Sequence, residues 1–374
     1  MTAPMSVLDL DDAASLEAAD FEGGLRSAAL GGAQVRATAA AVAEGALDRL
    51  TDLRPRSMVL VARSGRAARA SALLVATLAG GAGLPLLHVD ATPPWVGPLD
   101  VVIVSGDDAG DPALLESVDL AARRGAEVIV AVPDEGPMRA AGAGRAARVP
   151  PRVVVGDQNT LLRFLAVGIA VLGAVDPTRS GPRLPDLETL ADALDAEALR
   201  DHPRNEVYHN PAKALASRIH DHRVVFAGDA PATTGLARHA SEVLLRTGAV
   251  ASAAELAAVV AAAPELTAGT AMPPGYDPLF HDEQLDGPRP QQGARIVVLS
   301  LTDDRAAVQR RMALLRDADL LTVETEDDTS PQQPQRPGRE LERLTTLAVR
   351  IEMAAAYLNL LSGPNGRAMS EVTG

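Results

Sequence analysis

Short apolar runs ending in small-residue turns alternate with longer helix-like stretches, and this alternation occurs twice along the 374-residue chain. In the first half the runs are 57–62 (SMVLVA), 84–89, 100–104 and 126–132, with helical spacing of apolar residues over 67–79 and 112–124. In the second half they are 223–227 (RVVFA), 295–299 and 320–323, with helical stretches over 234–247 and 305–316. An unbroken apolar run suits a strand covered on both faces, and such strands alternating with helices form parallel sheets. The pattern therefore predicts an α/β chain with two tandem domains, each a doubly wound, mainly parallel sheet flanked by helices. The length accommodates two cores of ordinary size. The expected division is a helical N-terminal segment (1–50), a first domain (51–175), a linker (176–190) opening with DPTRSGPRLP, and a second domain (191–374) that includes a C-terminal helix. The Pro-rich stretches 271–292 and 326–339 read as irregular.

Composition excludes several classes of function. A net charge of -14 opposes a phosphate backbone, and four Phe, three Tyr and one Trp supply few stacking platforms, so no nucleic-acid partner is expected. With no cysteine there is no disulfide, no thiolate metal site and no cysteine nucleophile. No apolar stretch reaches the roughly 18 uninterrupted residues of a membrane span, and the N-terminus lacks a basic region followed by an apolar one. A soluble cytoplasmic protein with no membrane partner is the expectation. Lys213 is the single lysine among 35 basic residues and reads as a surface or interface residue. No HExxH, Walker A or GxSxG pattern occurs, and no metal or cofactor is expected.

The loops that follow the predicted strands carry the candidate chemistry. Segment 100–112, DVVIVSGDDAGDP, is a buried strand followed by a Ser-Gly turn at the start of a helix. Such a turn ordinarily offers free N–H groups and the positive end of a helix dipole to an anion. Here Asp107, Asp108 and Asp111 occupy that region, and Ser300-Leu301-Thr302-Asp303-Asp304 repeats the acidic signature in the second half. After the first strand, Arg63-Ser64-Gly65-Arg66 opens a helix with arginines able to pair with phosphate or carboxylate, or to lie solvated on its surface. In the loop 228–235 the hydroxyls of Thr233 and Thr234 suit either an anion or a helix cap.

NPAK at 210–213, the terminal AAAYLNLLSG at 354–363, IVSG at 103–106 and RRGAEVIVAVP at 123–133 occur in an order that resembles the bacterial and archaeal bifunctional phosphoglucose/phosphomannose isomerases. The resemblance covers nearly the whole chain in layout and implies two sugar isomerase (SIS) domains, with a homodimer completing the cleft between them. It also implies a sugar phosphate or related carbohydrate derivative as ligand. The phosphate loop of that family, Ser-x-Ser-Gly-x-Thr-x-Glu-Thr, survives here as Ser105 and Gly106, followed by Asp107 and Asp108. The substrate-binding candidates are Ser105, Gly106, Asp107 and Asp108 from this resemblance, together with Arg63, Ser64, Gly65, Arg66, Thr233 and Thr234 from the loops themselves. The triplet His281-Asp282-Glu283 supplies the catalytic candidates His281 and Glu283 for ring opening. The general-base glutamate and the terminal lysine of the family have no counterpart, although Arg367 could supply a fixed charge. Two functions remain open: an isomerase of glucose 6-phosphate or mannose 6-phosphate to fructose 6-phosphate type with eroded motifs, or a non-catalytic SIS-domain protein that binds a sugar derivative or a partner enzyme.

Overall fold

The computed structural model describes residues 8–267, 285, 293–315, 317–323 and 338–362. The chain begins with helices α1 (Ala13–Ala19), α2 (Gly24–Ala29) and α3 (Gly31–Ala43). The first sheet follows, with β1 (Ser57–Val61), α4 (Gly65–Leu78), β2 (Leu86–Val89), β3 (Asp100–Ser105), α5 (Pro112–Arg123), β4 (Glu127–Ala131), α6 (Gly136–Ala141) and β5 (Ala146–Arg148). Helices α7 (Leu161–Val175), α8 (Leu187–Arg200) and α9 (Pro211–Ile219) lead to the second sheet. That sheet comprises β6 (Val224–Gly228), α10 (Pro231–Leu245), β7 (Ala251–Glu255), α11 (Leu256–Ala261), α12 (Ala263–Thr267), β8 (Arg295–Leu299), α13 (Arg305–Arg311) and β9 (Asp319–Leu321). Helix α14 (Arg339–Leu361) closes the described chain.

Strand order is β2-β1-β3-β4-β5 in the first sheet and β7-β6-β8-β9 in the second. Every pairing is parallel. Alternation along each strand assigns its side chains to two cores. Met58 and Leu60 of β1 and Val101 and Ile103 of β3 enter a central core, whereas Val59, Val61, Val102 and Val104 enter an outer one with Leu114 and Val118 of α5. The second sheet divides likewise, with Phe226, Val297 and Leu299 inward and Val225, Ile296 and Val298 outward against α11 and α13. Between the two sheets lies a layer in which α10 packs on α4 and α14, and α4 on α7.

Two strands escape the sequence pattern. β5 (AAR) and β7 (ASAAE) hold no β-branched or aromatic residue, and an Ala-rich run favours helix by propensity. Their conformation follows from pairing with β4 and β6, a long-range condition that composition does not carry.

Among the described residues, two helices are apolar and long enough to cross a membrane, Asp157–Val175 and Arg339–Leu361, and 78% of each apolar window is buried inside the fold. Lys213 is neither surface nor interface in this structure. It is fully buried, and its ammonium donates to the carbonyls of Pro203 (2.6 Å) and Asn205 (2.7 Å) beside the Tyr357 ring. The cap formed by Asn210 on the Lys213 N–H (2.8 Å) fixes the start of α9, so NPAK is a helix-start and core motif here.

Candidate functional site

In open parallel sheets, ligands bind beyond the strand C-termini where successive connections leave in opposite directions. In the first sheet this point lies between β1 and β3, and in the second between β6 and β8. It selects the loop after Val61, the turn after Ser105, the loop after Gly228 and the turn after Leu299.

The loop after β1 is open. Ser64 is the N-cap of α4 without a side-chain cap, and Gly65 takes φ +64°, a left-handed value that suits glycine. The first amide bonded within the helix is that of Ala68, to the Ser64 carbonyl. The preceding amides of α4 make no bond within the helix, and α4 starts beside a cleft of about 600 Å³ lined by Arg63, Ser64, Gly65, Arg66, Arg69 and His88 among others. Glu242 of α10, Arg246 at its C-cap, Asp107 and Asp157 also line it. The cleft therefore draws on both halves of the chain.

The turn after β3 is closed by its own acids. Asp111 caps α5, accepting the amides of Ala113 (2.9 Å) and Leu114 (3.4 Å), and lies 3.5 Å from Arg63. Asp108 accepts the Gly110 amide at 2.7 Å. Asp107 accepts from Arg163 at 3.0 Å and from the Thr160 hydroxyl at 3.3 Å. Arg163 is almost fully buried, with its guanidinium over the Phe164 ring, and burial pulls its pKa down against the pull of Asp107. Of the candidates in this turn, Asp107 reaches the cleft, whereas Ser105, Gly106 and Asp108 do not line it. Ser105 is the buried last residue of β3, and a Cβ on Gly106 would meet Leu114 Cδ1 at 2.5 Å.

The second half repeats the device. Asp304 caps α13 through the Ala307 amide (2.8 Å), and Asp303 pairs with the buried Arg343 of α14 at 2.5 Å. After β6, the Thr233 hydroxyl accepts the Ala230 amide (2.9 Å) and donates to Asp229 (2.9 Å), so it acts as a cap. Thr234 is buried where α10 meets the strand end, and a Cβ on Gly228 would lie 2.1 Å from the Thr234 amide nitrogen. A second pocket of about 330 Å³ includes Asp229, Thr233, Thr302, Asp303, Arg339 and Arg343. His281 and Glu283 lie outside the described residues. Among the described residues, no group of three or more His, Asp or Glu is placed to hold a metal ion.

No protein-family model matches the chain, and no curated protein does. Solved structures match in shape. A Clostridium difficile protein described as a phosphosugar isomerase aligns with TM-score 0.60 at 11% identity, over 91% of this chain and 93% of that one. Tagatose-6-phosphate ketose/aldose isomerase from Escherichia coli gives 0.56 at 14%, over 91% and 92%. The C-terminal domain of glucosamine-fructose-6-phosphate aminotransferase from Francisella tularensis gives 0.54 at 11%, over 91% and 94%. The chain has the tandem SIS fold. At these identities the likeness concerns architecture.

Within this SIS arrangement the cleft is underlain by polar residues of which the sequence reading singled out Arg66 but not Glu242, His239, Glu352 or Asn159. Arg66, 6% exposed, donates to Glu242 at 2.9 Å and lies 3.4 Å from His239 Nδ1. Arg69 pairs with the same Glu242. His239 Nε2 is 3.0 Å from Glu352 Oε1, and Glu352 Oε2 accepts from Asn159 at 2.7 Å. Burial pushes His239 below its ordinary pKa against the pull of Glu352, and burial likewise lowers Arg66. One sequence signal bears on these positions: Glu352 interrupts the apolar run of α14, and an ionisable group on a buried helix face needs a partner. Nothing local identifies that partner as His239.

Proposed function

We propose that this chain binds a sugar phosphate, or a related carbohydrate derivative, in the cleft between its two SIS halves, with the anion at the start of α4. The supporting observation is the contrast between two helix starts. The amides of α5 are taken by Asp111, whereas those of α4 are open and flanked by Arg63 and Arg66. The cleft volume falls in the range of about 300–1,000 Å³ common for small-molecule sites. The anion thus sits after β1, and the acidic turn after β3 serves as a wall.

Binding without isomerisation is the favoured form of this reading. Among the described residues, each acid lining the cleft is engaged, Asp107 by Arg163, Asp157 by Arg246 and Glu242 by Arg66 and Arg69. An arginine beside a carboxylate favours its ionised form and so makes it a weaker base for taking a proton from a substrate carbon. A second reading, interconversion of glucose 6-phosphate or mannose 6-phosphate with fructose 6-phosphate, is favoured by His88. Its Nε2 lies 2.9 Å from the Ala62 carbonyl, which makes that nitrogen the donor and leaves Nδ1 as an acceptor on a cleft-lining ring. His281 and Glu283 would serve ring opening in that case.

Thermal unfolding with glucose 6-phosphate, mannose 6-phosphate, fructose 6-phosphate, the unphosphorylated sugars and inorganic phosphate tests the binding reading. A phosphorylated sugar at a hundredfold its Kd should stabilise by about 2.7 kcal/mol, and Arg63→Ala should weaken the effect. No shift with any phosphorylated sugar removes the reading. Turnover of any hexose phosphate that is abolished by His88→Gln would replace it with the second. The resemblance adds a homodimer, which a monomer mass by light scattering would remove, and the composition adds a cytoplasmic location.

A further inference from the structure

Arg66 is held from one side only. Its Nη1 is placed between Glu242 and His239, whereas its Nε and Nη2 have no hydrogen-bond partner among the described residues and the residue lines the cleft. A guanidinium has no acceptor, so contact with His239 Nδ1 requires that nitrogen to be unprotonated. The imidazole proton then sits on Nε2, where Glu352 Oε1 receives it at 3.0 Å. The other oxygen of Glu352 receives Asn159 Nδ2, whose amide oxygen accepts from the Ser27 hydroxyl at 2.8 Å. Ser27 Oγ in turn accepts the Gly156 amide at 2.8 Å. The order of donors and acceptors is thereby fixed from the Gly156 amide to the cleft.

We propose that His239 and Glu352 are positioning residues for Arg66: Glu352 selects the Nε2–H tautomer of His239, and the lone pair this leaves on Nδ1 turns the remaining donors of Arg66 into the cleft. The anion site of the first half is completed by α10, which packs on α4 from the second half and is backed in turn by α14. The inference rests on the reading of the cleft as an anion site for its consequence in binding. The tautomer and the place of Arg66 do not depend on that reading.

Glu352→Gln inverts the relay. Ser27 holds Asn159 with its Nδ2 toward residue 352, so the new NH2 group faces His239, and the imidazole proton moves to Nδ1, where it opposes Arg66. Adding Asn159→Asp restores an acceptor for that NH2, returns the amide oxygen to His239 and brings back the original tautomer. Nitrogen-15 spectra of the histidine rings report the tautomer, crystal structures of the variants report Arg66, and titration with fructose 6-phosphate reports binding.

The expected results are Nε2–H in the wild type, Nδ1–H with a displaced Arg66 in Glu352→Gln, and recovery in the double variant. A lost charge-assisted contact should weaken fructose 6-phosphate by about tenfold in the single variant, with recovery to within about twofold in the double. An Nδ1–H imidazole in the wild type overturns the proposal without need of any variant. So does an inverted tautomer with Arg66 unmoved, or with affinity unchanged. If the wild type binds no fructose 6-phosphate, that arm counts against the functional reading, and the spectrum and the Arg66 position decide the positioning role.

Discussion

Asp201 ends α8 with no exposed surface, its Oδ1 accepting the Ala212 amide at 2.9 Å and its Oδ2 without a hydrogen-bond partner among the described residues. Burial, reinforced by the nearby Glu197 charge and opposed by Arg350, pushes its carboxyl up to about 8 from the ordinary 3.8. The folded protein therefore keeps a proton that the unfolded chain releases. Because stability falls with pH wherever the native state binds more protons, this contribution is complete below about pH 4, declines as pH rises toward 8, and is flat above. Asp201→Asn removes the titration while keeping the shape and the Oδ1 acceptor. Its Tm relative to wild type should be higher at pH 8 than at pH 5, as followed by calorimetry at both values. An equal difference at the two values would mean that Asp201 is ionised in the fold. Neither Asp201 nor Lys213 announces its burial in sequence, since each becomes buried only when α8, α9 and α14 come together.

At the scale of elements, the acidic turns were legible as a repeated feature, and the structure supplies their division of labour. In each half one aspartate caps the next helix, Asp111 or Asp304, and another holds a buried arginine from a central helix, Arg163 of α7 or Arg343 of α14. The arginine partners lie 56 and 40 positions along the chain from Asp107 and Asp303, which is why a local reading saw only unbalanced charge. The two roles predict different mutational costs. Asp111→Ala should lose about 1 kcal/mol, the ordinary value of an N-cap, as read by urea denaturation. Asp107→Asn should cost stability by weakening the grip on Arg163, yet it should tighten sugar-phosphate binding. A carboxylate roughly 4 Å from a phosphate oxygen repels it by about 1 kcal/mol in water-like surroundings, which corresponds to about fivefold in Kd. Weaker binding by Asp107→Asn in titration calorimetry would place the anion away from this wall.

For the whole molecule, the sequence conveyed the two sheets because unbroken apolar strands signal cover on both faces. What it did not convey was the identity of that cover. The inner faces of both sheets share one continuous core, in which Leu60 and Ile103 of the first and Phe226 and Leu299 of the second are joined through α4, α7, α10 and α14. The segment 51–175, a domain by its sequence pattern, holds α4 and α7 but neither α3 nor α10, against which they pack. Cutting it out would expose apolar faces of two helices whose buried side chains include Leu73, Leu74, Leu162 and Leu165. Each such side chain left exposed forfeits about 1.5–3 kcal/mol, against a typical net domain stability of about 5–15 kcal/mol. The two halves should therefore unfold together, as a single calorimetric transition of the full chain whose van't Hoff and measured enthalpies agree. The excised 51–175 segment should bind the dye ANS and unfold without a cooperative transition. A sharp, independent transition for that segment would show that the outer core and β-sheet suffice, and that the shared helical layer joins two self-standing domains.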